Sequence, residues 1–394
     1  MASKPANGKS VLEPLTKEPL RAAELLAESR RLGLIHCNFI RGIVINLAIF
    51  EPNRRPYTVS IDVPEGDTDD AIASIFELSP PNFTRLYISY IGVRITEPSV
   101  IQRLSRFVDR VAPFCKITSL YLKNELLMDG IYYVVPDSVN HLISAASQTL
   151  CTLNLHHVSL NPSTQAALRR CTGMRELVLN QSQLNDFVPV LPSWPELRSF
   201  NCSLGYYRYL PIDEGLAALA ASCPKLSEFG LNAMRCEDFD DIVSVDSLCA
   251  LLQACPALTT FGVGCHSAMG DAMLRGLVAH GAKLTNIELE GEWEMTEEAE
   301  VEAEEEEEEE GGQQQEALWP ELQLLSLNGC EEISKSFVEG VLRSCVKLAS
   351  VRLPQDVDVD DGWRTCMMKY GFQYDTSKCH PVIGPNSPRW VRSL

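Results

Sequence analysis

The chain has 394 residues, 45% of them apolar, with 34 basic and 53 acidic side chains and a formal charge of −19. That apolar share supports a continuous core, while the acidic balance and the lack of a basic stripe exclude nucleic-acid binding as the main task. The 14 cysteines are spread singly, and Met1 to Ser10 has no apolar core after its lysines. Thiols in a reducing compartment, the cytoplasm or the nucleus, are therefore expected.

Residues 1–18 are polar, carry Pro5 and Pro14, and are expected to be a disordered N-terminus. Residues 19–82 read as an N-terminal cap or as degenerate repeats. Within them Pro19 to Leu34 has helical spacing with proline in the first turn. Phe39 to Phe50 and Tyr57 to Val63 are β-branched and strand-like, and Asp69 to Leu78 is a short amphipathic helix. Phe39 to Phe50, the longest apolar stretch, is broken by Arg41 and Asn46 and is too short to span a bilayer. No membrane partner is expected.

From residue 83 one phrase, L-x-x-L-x-L with conservative swaps, recurs ten times. It starts at Phe83, Ile117, Leu150, Met174, Leu197, Leu226, Leu258, Leu284, Leu322 and Leu348. Self-similarity at such spacings signals a solenoid whose units bury their apolar faces against one another. The last two apolar residues of each phrase share one side of a short strand, because side chains alternate with period two. Helical stretches such as Glu214 to Ser222 and Asp246 to Ala254 then return the chain, so the strands become parallel neighbours. Cys171, Cys223, Cys255 and Cys345 stand three residues before the phrase, Cys115 two before, and Trp194 and Trp319 occupy the same slot. A slot that accepts cysteine or tryptophan is a packing position, not a ligand site.

Ser222 to Leu231 (SCPKLSEFGL), Ala254 to Val263 (ACPALTTFGV) and Leu322 to Ser334 (LQLLSLNGCEEIS) resemble leucine-rich repeats of the cysteine-containing, ribonuclease-inhibitor-like class. Leu322, Leu325, Leu327, Cys330, Ile333 and Ser334 match the core of that pattern, and the likeness covers about two-thirds of the chain. It implies an α/β fold, a leucine-rich-repeat solenoid or horseshoe with a parallel concave sheet and helices on the convex side, over residues 83–353. Residues 354–394 would be a C-terminal cap and a loose tail. Many proteins of this class are substrate-recognition subunits of cullin–RING ubiquitin ligases with an F-box before the repeats, which would make a cullin-ligase adaptor a partner. The best F-box segment, Leu15 to Phe50, has Leu25 and Leu26 but neither an L-P-x-E opening nor a tryptophan.

The step from Leu284 to Leu322 is longer than its neighbours by about a dozen residues, which marks residues 292–316 as an insertion within one repeat. Eleven glutamates between Glu297 and Glu310, including Glu304, Glu305, Glu306, Glu307, Glu308, Glu309 and Glu310, carry −11 of the charge and leave −8 for the rest. A run of like charge stays solvated, so a disordered acidic loop is expected, suited to a basic partner such as a histone.

Other motifs fail on spacing. Asp356, Asp358 and Asp360 lack the glycine and glutamate of a calcium loop, Gly8-Lys9-Ser10 lacks the first P-loop glycine, and Cys379-His380 has no companion pair. His156 and His157, being adjacent, should point to opposite sides of an extended chain. No cofactor or metal is implied, and no nucleophile and base share a signature, so a non-enzymatic protein-binding scaffold is expected, with an undetected enzyme as the remaining alternative.

The solvent-facing strand position is, in order, Tyr87, Tyr121, Asn154, Val178, Asn201, Gly230, Gly262, Glu288, Ser326 and Arg352. Arg85, Lys123, His156, Arg175 and Arg198 flank it early, and Glu228 and Glu290 later. Arg85, Tyr87, Tyr121, Lys123, Asn154, His156, Arg175, Arg198 and Asn201 form the candidate protein-binding face, since tyrosine and arginine dominate interface hot spots.

Overall fold

A computed structural model describes residues 31, 42–46, 85–90, 105–106, 108–124, 133–135, 137–204, 211–233, 242–267, 270–294, 319–328, 330–331, 335–353, 361–374 and 389–392. The expected disordered N-terminus, the strand at 57–63, the helix at 69–78, the glutamate run and the loop at Asp356–Asp360 lie outside these residues. So does the helix at 19–34 apart from Arg31. The chain divides into two compact units, Met1–Arg175 and Glu176–Leu394.

In the first unit, β1 (Gly42–Asn46), β2 (Arg85–Tyr90), β3 (Ser119–Asn124) and β5 (Thr152–His156) lie side by side, all parallel. A small second ladder pairs β4 (Tyr133–Val134) with β6 (Val158–Ser159). Helices α1 (Asp137–Ala145) and α2 (Pro162–Leu168) return the chain. The start of α2 is set by Asn161, whose Oδ1 accepts from Thr164 N at 2.7 Å and from Thr164 Oγ1 at 2.9 Å. Pro162 follows at the first helical position, where its missing N–H costs nothing.

The second unit runs β7 (Glu176–Asn180), β8 (Ser199–Ser203), β9 (Glu228–Asn232), β10 (Thr260–Ser267), β11 (Asn286–Glu294), β12 (Leu324–Ser326) and β14 (Ser350–Arg352), with β13 (Cys330–Glu331) beside the end of β11. The register aligns the repeat phrase from strand to strand. Leu177, Phe200, Phe229, Phe261, Ile287, Leu325 and Val351 fall in one column, and all are buried. Within it Phe200, Phe229 and Phe261 stack at ring-centroid spacings of 5.7 and 5.4 Å. The polar residue before each strand adds a second ladder: Ser227 Oγ, Thr259 Oγ1 and Thr285 Oγ1 donate to the carbonyls of Arg198, Ser227 and Thr259 at 3.0, 3.1 and 3.0 Å.

Behind the sheet lie α3 (Asp213–Ser222), α4 (Val245–Ala254), α5 (Gly270–His280) and α6 (Lys335–Ser344). Ser244 caps α4 by accepting from Ser247 N, and its own N–H donates to Asp213 Oδ1 on α3 at 3.0 Å, which ties neighbouring repeats together. After β7 the step is only 23 residues, and two 3₁₀ turns, Leu184–Phe187 and Leu191–Ser193, replace the helix.

The slot ahead of each phrase is buried at Cys115, Cys171, Trp194, Cys223, Cys255, Trp319 and Cys345. Its carbonyl accepts the N–H of the first leucine-type residue, as in Leu226 to Cys223 and Leu258 to Cys255, both at 3.0 Å. Cys223 Sγ and Cys255 Sγ donate to the carbonyls of Trp194 and Cys223, the preceding slot residues, at 3.7 and 3.8 Å. Burial pushes the thiols up, to about 12 at Cys171 and Cys223 and to about 11 at Cys115 and Cys255. They are packing residues.

The described residues of the C-terminal region add one helix and two strands. After α7 (Asp361–Lys369), β15 (Phe372–Tyr374) and β16 (Arg389–Arg392) form strands, and β16 runs antiparallel to β14. Arg392 N donates to Ala349 O at 2.9 Å, so the edge of the sheet finds its hydrogen bonds without another repeat. Parallel strands, helices with one buried side and a common register make the fold an α/β leucine-rich-repeat solenoid.

Candidate functional site

In each unit, taken by itself, the outward residues lie on the strand face turned away from the buried side chains. In the first unit Tyr87, Tyr121 and Asn154 share one register column, and Lys123 and His156 share the next. Tyr121, Lys123, Asn154 and His156 are half-buried, and Arg85 and Arg175 are exposed. The side chain of Tyr87 lies outside the described residues. The histidines depart from expectation: His157 has φ of 55°, so the chain leaves the extended form directly after β5 and the two rings approach edge-on at 4.6 Å.

In the second unit Arg198 is exposed, and its carbonyl anchors the next strand by accepting from Ser227 N and Glu228 N at 2.8 and 2.9 Å. Val178, Asn201, Gly230, Gly262, Glu288, Ser326 and Arg352 form the predicted outward column. Ser326 breaks the pattern: it is fully buried, although it stands between Glu288 and Arg352 in that column. The open run of the column is therefore interrupted at β12, and Arg352 on β14 is half-buried again. Glu304 to Glu310 lie outside the described residues.

Register creates something that spacing did not reveal. Asn180, Ser203, Asn232, Gly264 and Glu290 form a second column two residues along. Gly230, Gly262 and Gly264, lacking side chains, become the floor of a groove of about 250 Å³. Asn180, Asn201 and Ser203 wall one side, and Glu288 and Glu290 the other. Glu288 and Glu290 were already read as outward and acidic, whereas Asn180, Ser203, Asn232 and Gly264 were missed; the available signal was the residue two positions after each outward one. Glu290 is half-buried, and its carboxyl is held above the usual carboxylate range, first by burial and then by the charge of Glu288, against the opposing pull of Arg352. The groove thus presents negative charge beside backbone and amide groups, an arrangement suited to holding a cation or hydrogen-bonding an extended chain.

Among the described residues no three His, Cys, Asp or Glu side chains are grouped so that they could hold a metal ion. Among the same residues no helix is long and apolar enough to cross a membrane.

No protein-family model matches the sequence, and no curated protein matches it. Solved structures similar in fold include an internalin from Listeria monocytogenes, at 14% identity and TM-score 0.41 over 87% of this chain and 91% of that one. Another is the leucine-rich repeat-containing protein LegL7 from Legionella pneumophila, at 14% identity and TM-score 0.38 over 76% and 89%. A chain of the yeast Rad7 and Elc1 complex aligns at 14% identity and TM-score 0.37 over 87% and 83%.

Proposed function

We propose that the protein is a non-enzymatic scaffold that binds another protein on the open face of its parallel sheet. The observation that carries this reading is the groove over Gly230, Gly262 and Gly264, a polar concavity on a face that the repeat helices leave uncovered. Solenoids of this kind supply surface, and the residues gathered here suit hydrogen bonding and charge pairing rather than bond making. The thiol-rich core fits a reducing compartment, the cytoplasm or the nucleus.

The test is crosslinking mass spectrometry on the full chain isolated with its bound proteins. Crosslinks from a partner to Lys225, beside strands β8 and β9 of the second unit, are expected; crosslinks confined to the helices would overturn the reading.

A second reading makes the scaffold the substrate-recognition subunit of a cullin–RING ligase, on the strength of the resemblance carried by its cysteine-bearing repeat phrase. Recovery of cullin and its adaptor with the wild-type chain, lost on Leu25→Asp with Leu26→Asp, is the expected result. Their consistent absence rejects it. The acidic run supports a further role as a binder of basic proteins such as histones; replacing Glu304 to Glu310 by glutamine then removes salt-sensitive histone binding, and unchanged binding rejects that role.

A further inference from the structure

We propose that the groove of the second unit recognises a lysine or arginine side chain on an extended segment of the partner, its aliphatic stem lying over Gly262 and its charged end set against Glu288 and Glu290. This rests on the reading of the open sheet face as the partner-binding surface and names the chemistry that the surface selects.

Space is the first argument. A Cβ built at Gly230 would run into Asn201 Oδ1, so glycine there accommodates a neighbour. At Gly262 the nearest atoms to such a Cβ are Glu288 Cβ at 3.7 Å and two backbone oxygens at 3.9 Å, ordinary contact distances. The fold therefore does not require glycine at 262, and its bare backbone leaves room that local packing does not use. Phe229 and Phe261 stack on the opposite side of the same strands, so the floor is backed by a rigid core.

Charge is the second. Glu288 and Glu290 stand two residues apart on β11, opposite Gly262 and Gly264 in register. Both project from one face of the strand. Arg352 pulls the Glu290 carboxyl downward but does not offset burial and Glu288, since the carboxyl remains shifted upward. A carboxylate kept where its own charge is penalised is a common mark of a binding site. The chain carries −19 overall, and eleven glutamates follow β11 in the sequence at 297–310. An anionic occupant is repelled and a cationic one drawn in. The groove is elongated across strands, with Asn201 and Ser203 on the far wall to bond a peptide backbone.

The test uses fluorescein-labelled Gly/Ser dodecapeptides bearing lysines, arginines or norleucines at the same positions. Binding is read by fluorescence anisotropy at low salt on the full chain with Glu304 to Glu310 changed to glutamine, so that the run does not contribute. The lysine and arginine peptides should bind at least roughly tenfold more tightly than the norleucine peptide, and Glu288→Gln with Glu290→Gln should erase that difference. Gly262→Trp should block all binding by filling the groove. Equal affinity for lysine and norleucine peptides, no binding of any cationic peptide, or affinity untouched by the glutamine pair overturns the proposal. If Gly262→Trp blocks the peptides while the glutamine pair does not, cation recognition fails and the open-face reading stands; if neither matters, both fail. Should Gly262→Trp not fold, Gly262→Val and the glutamine pair carry the same comparison.

Discussion

Trp319 stands in the room that Gly281 leaves for it. The indole Nε1 lies 3.2 Å from where a Cβ on Gly281 would sit and donates to Leu277 O at 3.1 Å. Both residues occupy the slot three positions before their repeat phrases, so the largest side chain in that series packs against the smallest. Trp319 is also the first described residue after the glutamate run, and the sheet continues beyond it in register, Ile287 pairing with Leu325. The two strands that flank the extra length are therefore direct neighbours.

The slot pairing predicts a sharp asymmetry. Gly281→Ala would place a methyl 2.9 Å from Leu284 Cδ1 and against Leu277 O, and should destabilise by about 1–3 kcal/mol through overpacking. Trp319→Ala should cost about 3–5 kcal/mol through the cavity it leaves. Urea denaturation measures both; a neutral Gly281→Ala would show that the slot is not tightly filled.

The assignment of faces is tested on adjacent residues of β8. Phe200 is fully buried in the phenylalanine stack, and Phe200→Ala should cost about 3–5 kcal/mol. Asn201, its exposed neighbour, should tolerate alanine within about 0.5 kcal/mol. Comparable losses at both positions in thermal melts would invert the assignment.

The buried thiols predict both reactivity and alkaline behaviour. With Cys171 and Cys223 pushed up to about 12, the thiolate is scarce at pH 8, and iodoacetamide should label them only after unfolding. Mass spectrometry of native and denatured samples reads this directly. Because these folded values lie above the unfolded one near 9.0, the stability they contribute is complete below about pH 9 and is lost as pH rises towards 12. Cys223→Ala should therefore flatten the alkaline loss of stability, and an unchanged alkaline limb in a pH series of melts argues against it.

Glu290 behaves as the same linkage requires. Its folded carboxyl is raised above the ordinary value, so the proton is bound more tightly in the folded state and the contribution to stability fades as pH rises through the folded value. Wherever it is ionised, the side chain burdens the fold. Glu290→Gln should raise the melting temperature at pH 7 and lose that advantage in mild acid, while weakening the binding of lysine peptides. A lowered melting temperature at pH 7 would mean that the carboxylate is satisfied by its surroundings.

Much of this was legible in the phrase itself. The start points of the repeats identify Leu177, Phe200, Phe229, Phe261, Leu325 and Val351 as core, because side-chain alternation along a strand is a local property of the backbone. The same phase marks the cysteine and tryptophan slot, and β-branched content places a strand within Phe39 to Phe50, where β1 lies. Helices at Asp213–Ser222 and Val245–Ala254 follow from local spacing as well. His157 was misread because its left-handed backbone follows from the turn after β5, which no side-chain pattern reports.

What the sequence by itself determined is which residues of each repeat face inward, which face outward, and that the extra residues fall between two neighbouring strands. Tertiary structure alone decided how the outward residues combine. Gly230, Gly262 and Glu288 are separated by 32 and 26 residues in the chain, and they meet only because parallel register sets them in one column. Register likewise closes the sheet with an antiparallel strand from the C-terminal region, and turns three glycines and two glutamates into a groove. The physical reason is one of range: alternation acts between adjacent residues, whereas a binding surface is made by strands brought side by side through the packing of everything between them.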